Sequence, residues 1–346
     1  MRDFRKGLTL TELVVLLSIA SLILAIGFPT LQQNREAARN EVCKGNLQTI
    51  GLAALEYEAV NGQYPPYLGS NSSGDFDIQQ TFSLTLLLPF LGQQALVDQI
   101  DPIALDFNIP NITDFGYQFI PDWINNTSNK DRPGISAIVF DNQVDLFRCP
   151  SDILAEVNNA YIAPNTQDDG GTTVWPFNPS DKVFVFAITN YTTNAGALAM
   201  TDTPTPGLVN AGWLGFHGPI RSRESESFDS IADGAANVVL FGESLGNIDP
   251  SSPFEFARNI RFSSAMGGFN IGRPDVYAGA QDDSVFGSLK KCNRLQFGSP
   301  HPDVVNTIRA DGAIASMNRK NTSSRFFGRL CGVEDGNLND NRFDPN

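Results

Sequence analysis

Glu12 is the one charged residue among positions 8–28, and thirteen of those 21 positions are Leu, Ile, Val or Phe. A carboxylate inside an apolar span is costly and needs a partner, which makes it a functional candidate by default. Gly7 stands five residues earlier, at the border between a basic leader (Arg2, Arg5, Lys6) and the apolar run. Glycine lacks a Cβ, so another backbone can approach it closely.

Sulfur and imidazole are the other reactive groups. The four cysteines are Cys43, Cys149, Cys292 and Cys331. None stands in a Cys-x-x-Cys pair, which argues against a zinc ribbon or a thioredoxin-type site. In an outward-facing chain an even count points to two disulfides. Of three possible pairings we favour Cys43–Cys149, a staple between helix and body, and Cys292–Cys331, a tie for the C-terminal tail. One or both pairs as buried free thiols stays open. The two histidines are His217 and His301. His301 is followed by nine residues and then Asp311-Gly312. Two short β-prone runs flank this Asp-Gly, which is a hairpin signal. We read His301 as a hydrogen-bonding anchor for that hairpin.

No Gly-x-Ser-x-Gly elbow, His-Glu-x-x-His, phosphate loop or dinucleotide fingerprint occurs. The reading is therefore non-enzymatic, with a tethered hydrolase as a minor class. No cofactor is expected. The Asp-Gly-rich segments 167–171 and 334–344 have oxygen ligands for calcium, without EF-hand spacing.

These groups need elements to position them. The apolar residues of positions 8–28 favour membrane insertion by about 6 kcal/mol, against about 3 for one acidic residue near the span centre. The run is long enough to cross a hydrocarbon core of ~30 Å. The basic leader puts the N-terminus in the cytoplasm and the rest outside. Pro29 should kink or loosen the helix there. Beyond it, Cys43, Leu47, Ile50, Ala54 and Tyr57 recur at spacings of four and three, one face of an amphipathic helix. Gln48 and Glu56 lie opposite. Asn61-Gly62 is a stop signal, with Pro65-Pro66 beyond it. The chain thus divides into residues 1–7, a helix over 8–61 of about 80 Å at ~1.5 Å per residue, and a head over 62–346.

The chain's 51 Gly and Pro predict long loops after the helix. The net charge of −14 becomes −16 without the leader, which carries +2. An acidic surface argues against nucleic acid as a partner, since phosphate contacts need clustered Lys and Arg.

The stretch Gly7-Leu8-Thr9-Leu10-Thr11-Glu12 with its apolar run closely resembles the N-terminus of type IV prepilins and type II secretion pseudopilins. That resemblance implies cleavage by a prepilin peptidase between Gly7 and Leu8 and methylation of the new Leu8 amine. It assigns Glu12 to subunit register in assembly. The family usually has Phe or Met where Leu8 stands. A removed signal peptide and a plain signal anchor are the competing readings.

Residues 35–66 and four later landmarks resemble a large planctomycete-type pilin-like family whose body is a domain of unknown function. The landmarks are 82–101, 144–152, 182–196 with 230–244, and 297–318. Residues 82–101 read as two short helices broken at Pro89, with Leu86, Leu87, Phe90, Leu91, Leu96 and Val97 in the core. Residues 144–152 read as a short strand ending at Cys149-Pro150, since proline cannot donate a ladder bond. Residues 182–196 read as one buried central strand, paired with a strand near Val238–Phe241 after an Asp233-Gly234 turn. Glu243 reads as a satisfied structural carboxylate. The His-nine-Asp-Gly spacing matches the family signature.

The expected fold is α+β and pilin-like: a long N-terminal helix, half transmembrane and half amphipathic, packed on a mainly antiparallel sheet with long loops. The expected protein is a structural subunit of a type IV pilus-like or type II secretion-like filament. Its partners would be the peptidase, other pilin or pseudopilin subunits and inner-membrane lipid. It would be a single-pass inner-membrane protein with a periplasmic head, at the cell surface after assembly. The alternative is a membrane-anchored periplasmic or surface binding protein that does not polymerise.

Overall fold

A computed structural model describes residues 9–66, 83–98, 143–152, 160–162, 175–176, 187–196, 217–221, 225–251, 259–263, 269–270, 285–293 and 296–333. The chain is α+β, with a long N-terminal helix laid on a mainly antiparallel sheet.

Helix α1 (Leu10–Asn61) has 52 residues. It starts at Thr9, whose hydroxyl accepts from the Glu12 N–H while the Glu12 carboxylate accepts from the Thr9 N–H, a capping box. It stops at Gly62, which takes φ 77° and donates its N–H to the Glu58 carbonyl. A glycine adopts that left-handed conformation without a Cβ penalty. The upper half is exposed and apolar, and among the described residues α1 is long and apolar enough to cross a membrane. The predicted stripe Cys43, Leu47, Ile50, Ala54 and Tyr57 is buried, joined by Gly51 and Ala53. Each large apolar side chain there contributes about 1.5–3 kcal/mol by leaving water.

Pro29 lies inside the helix, which runs on through it. Proline removes one ladder bond and crowds the carbonyl four residues back. The Thr30 hydroxyl donates to the Gly27 carbonyl at 2.8 Å. Side-chain donors of this kind re-satisfy carbonyls near a helix proline.

The short helices α2 (Ser83–Leu86) and α3 (Gln94–Val97) flank Pro89 and Gly92, the latter at φ 70°. Leu86 and Leu87 are buried; Phe90, Leu91, Leu96 and Val97 are partly buried against the same core.

The strands are β1 (Ala160–Ile162), β2 (Trp175–Pro176), β3 (Ile188–Thr189), β4 (Tyr191–Asn194), β5 (Val239–Glu243), β6 (Asn247–Ile248), β7 (Asn259–Ser263), β8 (Phe269–Asn270), β9 (Val304–Arg309) and β10 (Ile314–Asn318). One sheet has the order β10-β9-β5-β4-β8, and α1 packs across β9, β5 and β10. A second sheet has the order β2-β1-β7-β3, with β6 also on β7. Pairs β4–β8 and β1–β7 are parallel; the others are antiparallel. The predicted hairpin is β9–β10, closed at Asp311-Gly312 with Gly312 at φ 85°. The Asp311 carboxylate accepts from the Ala313 N–H at 2.9 Å.

Two strand readings need correction. Residues 187–196 are buried throughout, yet they form two strands in different sheets. The break is Asn190, whose N–H donates to the Phe147 carbonyl and whose own carbonyl accepts from Ser244. Those bonds replace ladder bonds and turn the chain from one sheet into the other. Residues 144–152 are a 3₁₀ turn (Asp145–Phe147) followed by a turn at Pro150, rather than a strand. Their backbone is satisfied from outside a ladder: the Asn190 side chain accepts from the Cys149 N–H at 2.9 Å.

Gly51 is where α1 meets β9 most closely. A Cβ there would come within 2.1 Å of the Ile308 Cδ1 atom, whereas nothing lies within 4 Å of one at Gly45. Gly51→Leu should therefore destabilise the protein by about 1–3 kcal/mol through overpacking. Gly45→Leu should instead gain up to about 1 kcal/mol of helix propensity. Urea unfolding of the two variants checks this; equal shifts would contradict the close contact.

Candidate functional site

His301 sits just before β9, at the junction of four segments. Helix α1 brings Glu36, Asn40 and Cys43; the 144–152 loop brings Cys149 and Ser151; the end of β5 brings Glu243; the hairpin brings His301 and Asn306. Cys43 and Cys149 form a disulfide, with Cα atoms 5.2 Å apart and a sequence separation of 106. It staples the spine helix to the head, as the sequence reading favoured.

His301, Glu243 and both sulfurs are buried. His301 Nδ1 lies 2.6 Å from a Glu36 carboxylate oxygen. His301 Nε2 lies 3.4 Å from Glu243 Oε1 and 3.6 Å from Cys149 Sγ. Burial alone would lower the His301 pKa. The Glu243 and Glu36 carboxylates outweigh it and hold the imidazole above its ordinary value. Glu243 also accepts from the Asn306 N–H at 2.8 Å and from its side-chain amide at 3.0 Å. It is the satisfied carboxylate the sequence reading described. Arg319 fixes the loop before the hairpin by donating to the carbonyls of Ser299 and His301 at 2.7 and 3.0 Å.

His301 therefore anchors the start of the hairpin to α1 and β5. Asp311 and Gly312 lie at the hairpin's far end and do not join it. With both sulfurs bonded to each other, the cluster acts as a cross-link braced by a buried polar network.

The pairing Cys292–Cys331 is overturned: both are buried and neither is disulfide-bonded. Cys292 packs with Leu245 and Ile248, while Cys331 packs in a separate cluster with Phe286, Phe297 and Phe327. Burial pushes the Cys292 thiol up to about 12, which makes it unreactive. The segment up to Val333 is held instead by bonds from Asn194 to the Cys331 carbonyl and from the Val333 N–H to the His217 carbonyl.

At the other end of the molecule, Gly7 and Leu8 lie outside the described residues, as do the segments 167–171 and 334–344. Glu12 is exposed and its Oε2 accepts from the Thr9 hydroxyl at 2.8 Å, in addition to the Thr9 N–H. The sequence carried this signal as Thr9-x-x-Glu12, the capping-box spacing.

Two further ionic sites had no sequence signal. Arg261 and Asp152 form a buried two-pronged ion pair, at 2.7 and 2.9 Å. Asn190 donates to the same carboxylate at 2.7 Å.

Glu226 meets His217 at 3.1 Å and Arg221 at 2.9 Å, and takes the Ser230 hydroxyl. The His217 hydrogen bond, with Ser230 and Arg221, outweighs burial and holds the Glu226 carboxyl down at about 2. A depressed carboxyl stabilises the fold above its unfolded pKa and loses that contribution as pH falls through the folded value. Glu226→Gln should lower the thermal midpoint near pH 6, and its gap from the natural chain should close between about pH 4.5 and about pH 2. A gap constant across that range would remove the ionic contribution.

Comparison with family models matches residues 32–322 to the family described as "Protein of unknown function (DUF1559)". Neither the curated proteins nor the solved structures gave a match. The matched stretch runs from the lower half of α1 through the β9–β10 hairpin. It takes in Cys43, Cys149, Glu243 and His301. The protein belongs to the DUF1559 family, a family of planctomycete-type pilin-like proteins.

Proposed function

We propose that this protein is a structural subunit of a type IV pilus-like or type II secretion-like filament, trimmed after Gly7 by a prepilin peptidase and methylated at Leu8. One observation carries the reading: α1 is a single helix with an exposed apolar upper half and a lower half fixed in the head. An apolar rod on a folded head suits both a bilayer and a bundle of like rods. In the bilayer the rod anchors the head outside the inner membrane. In the filament, rods from many subunits repack as a core, and the Glu12 carboxylate meets the freed amine of Leu8.

A second reading, a tethered binding module that does not polymerise, has its own support. The Thr9–Glu12 capping box satisfies Glu12 within one chain. Glutamine also serves in a capping box, so Glu12→Gln separates the two. In a filament subunit the variant should still insert in the membrane but yield no filaments, because the charge is gone while the cap remains. Filament yield equal to the natural chain would leave Glu12 as a cap only. The mass of the mature N-terminus tests processing directly: loss of residues 1–7 with one added methyl group is expected, and an intact leader refutes it.

A further inference from the structure

The disulfide has an unusual setting for a plain cross-link. One ligand-type atom each from Cys43, Cys149, Glu243 and His301 lie within 4.8 Å of one another, and all four residues are buried. We propose that the dithiol form of this protein holds one zinc ion at Cys43, Cys149, Glu243 and His301, and that closing the disulfide releases it.

The donor set is two sulfurs, one imidazole nitrogen and one carboxylate oxygen. Zinc takes four such ligands in a tetrahedron with arms of about 2.0–2.3 Å. The edges of that tetrahedron are about 3.3–3.8 Å. The Nε2–Oε1 separation of 3.4 Å and the Nε2–Sγ separation of 3.6 Å already fall in that range. The remaining ligand atoms all lie within 4.8 Å of one another, and the two sulfurs part when their bond is broken.

The surrounding shell is of the kind a zinc site needs. Ligating histidines characteristically donate their other ring N–H to a carboxylate, and ligating carboxylates are themselves hydrogen-bonded. Here His301 Nδ1 faces Glu36 at 2.6 Å, and Glu243 accepts from Asn306 twice. The ligand positions do not depend on the disulfide alone. Tyr191 donates to the Cys43 carbonyl at 3.2 Å, and the Asn190 side chain accepts from the Cys149 N–H. Asn46 donates to the Arg148 carbonyl at 3.0 Å, a second tie between helix and loop. A groove of about 640 Å³ lined by Glu36, Arg39, Asn40, His301, Pro302 and Val304 reaches the His301 side of the cluster.

The chemistry balances. A dithiol reductant passes two electrons and two protons to the Cys43–Cys149 bond and is itself oxidised to a disulfide. Zinc then displaces the two thiol protons to solvent and binds both thiolates. In reverse, a disulfide-bearing oxidant takes two electrons from the thiolate pair, the sulfurs bond to each other, and the ion leaves. Either state ties α1 to the 144–152 loop, so the head stays closed before and after oxidation. Filament assembly is not required for any of this.

The test uses the full chain in detergent, with Cys292→Ala and Cys331→Ala to remove the other thiols. It is reduced by a phosphine and titrated with cobalt, then zinc. The reduced chain should bind one cobalt with the intense visible bands of a tetrahedral site and a sulfur charge-transfer band, and zinc should displace it. The oxidised chain should bind none. Zinc should raise the thermal midpoint of the reduced chain and leave the oxidised one unmoved. His301→Ala and Glu243→Gln, each first shown to fold in its oxidised form, should weaken binding at least tenfold. No thiolate-bound cobalt in the reduced chain overturns the proposal. So does equal uptake by the oxidised chain, or unchanged affinity in both variants, which would mean two thiols binding metal alone.

Discussion

Replacing both partners of the cross-link, Cys43→Ala with Cys149→Ala, is expected to lower the unfolding free energy by about 4–5 kcal/mol. The reason lies in the unfolded chain. The bond closes a loop of 106 positions, and restricting a loop of about that length removes about 4.7 kcal/mol of chain entropy at 25 °C. The folded state also loses contacts at the α1–head junction, though Tyr191 and Asn46 still join the two. Cys292→Ala with Cys331→Ala is the control, since those two are not disulfide-bonded. Denaturant unfolding under oxidising conditions should show a much larger shift for the first pair. A loss below about 1 kcal/mol would mean that the cross-link contributes little to stability.

Asp152→Ala should be nearly as damaging, costing about 3–5 kcal/mol. Removing one member of a buried ion pair leaves the other charge without its counter-ion. Arg261 keeps its bond to the Leu245 carbonyl at 2.8 Å but loses both contacts to Asp152. The comparison that isolates this cause is Asp152→Leu with Arg261→Met. Replacing both charges by apolar groups is often neutral or stabilising by about 1–4 kcal/mol. The double variant should therefore be more stable than Asp152→Ala. If it is less stable, the loss reflects the loop's wider hydrogen bonds, including Asn190, rather than the broken Asp152–Arg261 pair.

These two sites differ in how far sequence alone could reach them. Cys43 lies on a predicted helix stripe and Cys149 in a landmark of the head, so their pairing was within reach. Cys292 and Cys331 have the same parity argument but occupy separate apolar clusters. Parity counts sulfurs; it carries nothing about where side chains point. The Asp152–Arg261 pair spans 109 positions, and an isolated Asp or Arg in sequence is ordinarily a surface group. Glu36 was equally silent: a helix glutamate reads as solvated until His301 is folded against it.

Local pattern determined what local physics controls. The long helix, its buried stripe, its stop at Asn61-Gly62 and the Asp311-Gly312 hairpin follow from side-chain periodicity and glycine's freedom in left-handed turns. The single-strand readings of 144–152 and 182–196 fail, the latter over its described residues 187–196 with 182–186 lying outside them, because apolar content shows that a segment is buried but not which neighbours take its backbone bonds. Only the tertiary structure decided that Asn190 divides its strand between two sheets. It alone brought Glu36, Cys43, Cys149, Glu243 and His301 to one point. Contacts across hundreds of positions depend on chain topology, and no short-range pattern encodes that.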